Sequence, residues 1–273
     1  MKKLVTVSVI ALGVLILSAL SFAQDSKSKT ADPNAPQPSI NCLFTFTGGA
    51  QNTFLRYCVT DGGNILGLES PQGHFLVPDN REGYGICDEG TGVSYFDYGA
   101  FGASSNWGPV NVVSHSAKSV KMTRNTSDGI WTLTQTFTLI AGTTPMVKNV
   151  MTLKNNTAAS RLAFLLRYAD TDIDGDVSNN LDATNESASS WNSVSTPNEN
   201  ATAHGLMLQN VGIARVTHQA LAQNTPSGPN PCNPFAVFPQ APLVQVDGSI
   251  ALIYQAFVGG GTSAIATIGY RGF

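Results

Sequence analysis

The stretch IWTLTQTFTLIA, Ile130 to Ala141, decides the fold class. Trp131, Leu133, Phe137 and Leu139 fall on one side of an extended chain, and Thr132, Thr134, Thr136 and Thr138 on the other. Successive side chains of a strand point to opposite faces, so this period of two predicts a half-buried strand. Met146 to Lys154 follows across Gly142-Thr143-Thr144-Pro145, a good hairpin connection. Arg161 to Tyr168 then places Leu162, Phe164, Leu166 and Tyr168 on one face. Ser249 to Phe257 and Ser263 to Tyr270 flank Gly259-Gly260-Gly261-Thr262 and read as a closing hairpin. No amphipathic helix longer than a couple of turns is expected. Residues 178–204, rich in Asn, Ser, Thr and Ala, and residues 223–234 (QNTPSGPNPCNP) read as irregular. In the second of these, proline removes ladder donors and restricts its neighbours. The expected architecture is all-β: a large antiparallel β-sandwich, supersandwich-like, forming a single domain over residues 40–273.

The residues ahead of that domain carry a different pattern. Lys2 and Lys3, the apolar run Leu4 to Leu20 and the small-x-small Ser21-Phe22-Ala23 are the three parts of a secretory signal, predicting cleavage after residue 23. A retained anchor is the competing reading, since Leu4 to Ala23 could nearly span a bilayer. Residues 24–39 (QDSKSKTADPNAPQPS) are polar, proline-rich and aperiodic, and read as a flexible tether. Loss of the signal, with two lysines and no acid, moves the formal charge from −3 to −5. No Lys/Arg cluster is present, so a nucleic-acid surface is not expected. Charged residues make up 12% of the chain, about half the usual share, leaving surface polarity to Thr, Ser, Asn and Gln. The expected location is secreted, extracellular or periplasmic, in a bacterial-type cell, with no membrane insertion after cleavage.

Four cysteines, Cys42, Cys58, Cys87 and Cys232, lie beyond the signal without C-x-x-C spacing. An even number in an exported chain favours two disulfides over a metal or redox site. Three connectivities exist, and one can be argued. If strands Leu43 to Thr47 and Thr53 to Cys58 pair across Gly48-Gly49-Ala50-Gln51-Asn52, with Thr47 opposite Thr53, then Cys42 falls opposite Cys58. Cys87 with Cys232 would be the long-range staple.

The most chemically specific motif follows the strand ending at Tyr168. Asp170, Asp172, Asp174 and Asp176 alternate, with Gly175 where the chain must turn. A hard cation such as Ca²⁺ takes several oxygen ligands, and crowded carboxylates repel one another when empty. Asp170, Asp172 and Asp174 are the expected side-chain ligands, Asp176 offers its carbonyl or carboxylate, and Asp182 or Asn179 closes the shell. The run departs from an EF-hand loop: its twelfth position is Leu181, where a bidentate Glu belongs. The competing reading is a solvated acidic turn built on Asp174 and Gly175.

The order of Trp131, Leu133 and Phe137, then Leu153-Lys154-Asn155-Asn156, then Arg167-Tyr168-Ala169-Asp170-Thr171-Asp172 resembles secreted bacterial β-supersandwich proteins related to the galactose-mutarotase fold. The resemblance spans residues 110–215 and implies a sugar-related ancestry. Mutarotases use a histidine acid and a glutamate base; that pair is not placed here, so no catalytic residue is carried over.

Other chemistries leave weaker traces. His74, His115, His204 and His218 show no H-E-x-x-H setting, and no G-x-S-x-G occurs. Glu69, Asp79, Glu82, Asp88, Glu89 and Asp97 are candidates for a glycosidase pair, which requires two carboxyls facing across a cleft. Tyr95, Phe96, Tyr98 and Phe101 read as β-core rather than as a sugar platform. Trp191, alone in a polar segment, is the candidate ligand anchor. Two functions therefore stand. One is a non-catalytic extracellular binding, surface or assembly module, stiffened by Ca²⁺, with carbohydrate or copies of itself as partner. The other is a carbohydrate-active enzyme, of glycoside hydrolase or epimerase type, on a supersandwich.

Overall fold

The computed structural model describes residues 41–77, 81–99, 106–192, 203–212, 217–235 and 242–273. The signal and tether expected over residues 1–39 lie outside them. Among the described residues eighteen strands run in chain order: β1 Cys42–Gly48, β2 Leu55–Thr60, β3 Ile65–Glu69, β4 Phe75–Val77, β5 Glu82–Asp88, β6 Val93–Asp97, β7 Trp107–His115, β8 Ser119–Thr126 and β9 Trp131–Ile140. They continue as β10 Met146–Asn155, β11 Arg161–Asp170, β12 Asn179–Ala183, β13 Ser187–Asn192, β14 Gly205–Asn210, β15 Thr217–Gln223, β16 Leu243–Val246, β17 Ser249–Val258 and β18 Ser263–Gly272. A 3-10 turn spans Gln51–Thr53, and among the described residues no helix is long and apolar enough to cross a membrane.

Among the described residues these strands form three antiparallel sheets. The largest has nine strands in the order β16-β12-β13-β14-β18-β10-β9-β8-β7. A second has five, β15-β17-β11-β5-β6, and a third four, β1-β2-β3-β4. β9 and β10 form the expected hairpin, with Trp131 opposite Asn155 and Ile140 opposite Met146. Along β9 burial alternates as the sequence requires: Trp131, Leu133, Phe137 and Leu139 are buried, and the threonines between them half-exposed. These residues join Ile86, Leu165 and Leu252 of the five-stranded sheet and Phe46, Tyr57 and Leu68 of the four-stranded sheet in one core.

Several details correct the sequence expectations. β17 and β18 do not pair. β17 lies between β11 and β15, while β18 lies between β10 and β14 in the nine-stranded sheet. The glycine link therefore crosses between layers. The reason is visible in β17, which is buried on both faces over Ser249 to Tyr254 and needs a sheet covered from both sides. The cover is the proline-rich segment after β15, where Pro229 O accepts the Tyr98 hydroxyl at 2.7 Å over a second cluster of Leu166, Tyr168, Leu221 and Ile253. The expected irregular zone 178–204 also contains β12 and β13.

The disulfides are Cys42–Cys58 and Cys87–Cys232, with Cα separations of 5.6 and 4.9 Å. The register behind the first differs from expectation: Thr45, not Cys42, lies opposite Cys58, and Thr47 faces Arg56. A bulge between Cys42 and Phe44 supplies the shift that lets the first cysteine reach its partner diagonally.

Candidate functional site

Three constellations gather around the segments that follow β11 and β13. The first is a groove on the outward face of the nine-stranded sheet. Along β12 and β13, Leu181, Ala188 and Ser190 point into the core, which turns Asp182, Ser189 and Trp191 outward. Asp182 pairs with Ser189 across the ladder, and Trp191 with Gly205 of β14. Phe273 exchanges both backbone hydrogen bonds with Gly205, each 3.0 Å. A Cβ at Gly205 would lie 2.5 Å from the Phe273 ring and 2.8 Å from the Trp191 Cβ. Only glycine allows the two aromatic residues to close over this point. Together with Ala203 they line an open groove of about 490 Å³, with Asp182 and Ser189 as its polar groups.

The second constellation borders it through Asn192. The Asn192 side-chain oxygen accepts the His204 backbone N–H at 2.9 Å, and the His204 ring stacks on His74 at 3.5 Å between centroids. His74 Nδ1 lies 2.9 Å from Asp174 Oδ2, while Asp174 Oδ1 accepts the Phe75 N–H at 2.9 Å. Asp174 and Gly175 have φ of +56° and +83° between the bridged residues Ile173 and Asp176. Asp-Gly suits the two left-handed positions of a tight reversal, which explains why the turn falls there. Burial first, and the neighbouring His74 second, push the His204 pKa below its ordinary value.

The third lies where β11 ends. Asp170, Asp172 and Asp247 offer oxygens within 4.8 Å of one another, the first two buried and the third exposed. Arg81 Nη1 reaches Asp172 Oδ2 at 2.8 Å and Asp170 Oδ2 at 3.3 Å. Burial, and then the Asp172 charge, raise the Asp170 pKa to about 8 despite Arg81.

The aspartate run is thus distributed over different partners. Asp170 and Asp172 converge, Asp174 turns to His74 and Phe75, and Asp176 accepts the Ser178 N–H at 2.9 Å. Asp182 belongs to the Trp191 groove, and Asn179 donates to Thr171 O and Asp176 O. Asp247 and Phe273 are not among the sequence candidates, and His74 and His204 enter there only as histidines without a zinc-hydrolase spacing. Only the Asp247-Gly248 pair carries a local signal there, that of a turn before β17.

Four of the six candidate glycosidase acids are engaged elsewhere. Glu82 is held by Arg167, Asp88 by Arg161 and Asp97 by Arg124, while Glu69 accepts the Gly73 N–H. Asp79 and Phe101 lie outside the described residues. Tyr95 and Tyr98 are core residues, as expected.

Fold and site together define a three-sheet antiparallel β-sandwich that carries an aromatic-lined groove on its largest sheet. Among solved structures, the chain is similar to a protein inferred to be an aldose 1-epimerase from Escherichia coli K12, at 12% identity over 84% of this chain and 99% of that one, with a TM-score of 0.48. It is also similar to a galactose mutarotase-like protein from Lactobacillus casei ATCC 334, at 10% identity over 84% and 100%, with a TM-score of 0.48. At these identities and TM-scores they bring no residue or activity to this chain. No family model and no curated protein matches it.

Proposed function

We propose that this chain is an exported, non-catalytic binding module whose ligand surface is the Trp191–Phe273 groove, and that the ligand is carbohydrate. The groove carries the reading: two aromatic side chains, an alanine, a carboxylate and a hydroxyl line about 490 Å³ of open space. A pyranose presents an apolar C–H face and a rim of hydroxyls. The first stacks on Trp191, and the second donates to Asp182 and exchanges hydrogen bonds with Ser189. Export is supported by the signal-like first 23 residues and by two disulfides, which persist in oxidising compartments. The non-catalytic reading is supported by Glu82, Asp88 and Asp97, each bound to an arginine instead of facing a second carboxyl across a cleft.

The test is calorimetric titration of the purified chain with a panel of neutral and acidic oligosaccharides, beside Trp191→Ala. Removal of a central stacking aromatic is expected to weaken binding by about 2 kcal/mol or more, roughly thirtyfold. Sugar binding that Trp191→Ala leaves intact would place the ligand elsewhere, and no binding across the panel would reject carbohydrate.

One observation favours a second reading, a sugar-acting enzyme. The Asp174–His74 contact has the form of a carboxylate-oriented imidazole, and it lies beside the groove through Asn192 and His204. Exchange NMR of reducing-sugar anomers, with wild type and His74→Gln, separates the two readings. Exchange accelerated by wild type and not by the variant selects the enzyme.

A further inference from the structure

We propose that Asp170, Asp172 and Asp247 bind one hard divalent cation of the calcium type, at a site independent of the groove. Three segments distant in sequence build it. Asp170 ends β11 opposite Ser249 of β17, so the β11–β17 register brings the turn carrying Asp247 alongside. The Asp170 N–H donates to Arg81 O at 2.9 Å, which fixes the third segment. The three carboxylates then offer oxygens within 4.8 Å of one another.

Arg81 satisfies only part of this site. Its guanidinium takes Oδ2 of Asp170 and Oδ2 of Asp172. Asp170 Oδ1 is buried with no hydrogen-bond partner, on a residue 1% exposed. Buried polar atoms are nearly always satisfied, so an orphan oxygen on one of these carboxylates leaves a place for a ligand. An all-oxygen donor set suits a hard cation, and the exposed Asp247 leaves room for water to complete six to eight ligands. The ligand set differs from a contiguous loop site, because Asp174, Asp176 and Asp182 point to other partners.

The experiment is thermal unfolding of the signal-free chain in chelator and in millimolar calcium chloride, with calorimetric titration of calcium chloride for stoichiometry. Binding to the native state alone raises the midpoint by mass action. A rise of several degrees is expected for wild type, with one ion per chain. The rise should vanish in Asp247→Asn, whose exposed side chain can change without disturbing the core, and persist in Asp182→Asn. Far-UV circular dichroism confirms that each variant folds. An unchanged wild-type midpoint with calcium, magnesium and manganese overturns the proposal. So does a calcium shift that survives Asp247→Asn, or one lost in Asp182→Asn, which would return the site to the contiguous aspartate run.

Discussion

Arg167 carries a charge where no solvent reaches it, and its surroundings show what that requires. Its guanidinium donates to Glu82 at 2.7 and 2.5 Å and to Gln135 at 2.5 Å. The rings of Tyr84, Phe137 and Tyr270 surround it at 5.2–5.7 Å, and the Tyr270 hydroxyl donates to Glu82. The second Glu82 oxygen accepts the Ile65 N–H at 2.6 Å. One buried pair thereby ties β3, β9, β11 and β18, elements from all three sheets. Breaking such a pair strands a charge away from water, so Arg167→Met should cost about 3–5 kcal/mol in urea unfolding. Adding Glu82→Gln should recover part of that loss; simple additivity would show that the two residues act separately. His204 makes a different statement. Its pKa is lowered in the fold from an ordinary value of 6.5, so the unfolded chain takes up the proton first as pH falls. The stability tied to neutral His204 is complete above pH about 6.5 and lost progressively below it. The thermal midpoint should therefore drop between pH 7 and 5 more steeply in wild type than in His204→Gln. Parallel profiles would remove His204 from the acid response.

At the scale of elements, the arrangement depends on which faces the strands can bury. β9 has one apolar face and sits at ease in a sheet open on one side. β11 is buried from Leu165 to Asp170 on both faces, as is most of β17, and the second face is closed by the proline-rich segment that Cys232 pins to β5. The two disulfides should accordingly differ in weight. They close separations of 16 and 145 residues. Loop-closure entropy predicts a loss of roughly 3 kcal/mol for removing the short link and about 5 kcal/mol for the long one. Denaturant unfolding of Cys42→Ser/Cys58→Ser and Cys87→Ser/Cys232→Ser compares them. A larger loss for the short link would show that strain or residual denatured-state structure governs instead. The legibility of the strands follows the same division. β9 and β10 could be read because alternation is a local signal. β12 and β13 were hidden, because Asn, Ser and Ala carry little strand preference and pair there only between neighbours already in place.

For the whole molecule, the sequence determined the class of fold and the cysteine pairing. Both rest on short-range information: period-two alternation fixes which face of a strand is apolar, and a hairpin brings Cys42 near Cys58 even when its register slips by a bulge. The Asp-Gly turn at 174–175 was legible for the same reason. Only the tertiary structure decided how these pieces combine. It sent β17 and β18 to different sheets, divided the aspartate run among His74, Arg81 and the groove, and brought Asp247 to Asp170 and Phe273 to Trp191. These outcomes depend on contacts between residues tens of positions apart, set by whether each strand needs one covered face or two. No window of sequence contains that information, because it belongs to the packing of the layers.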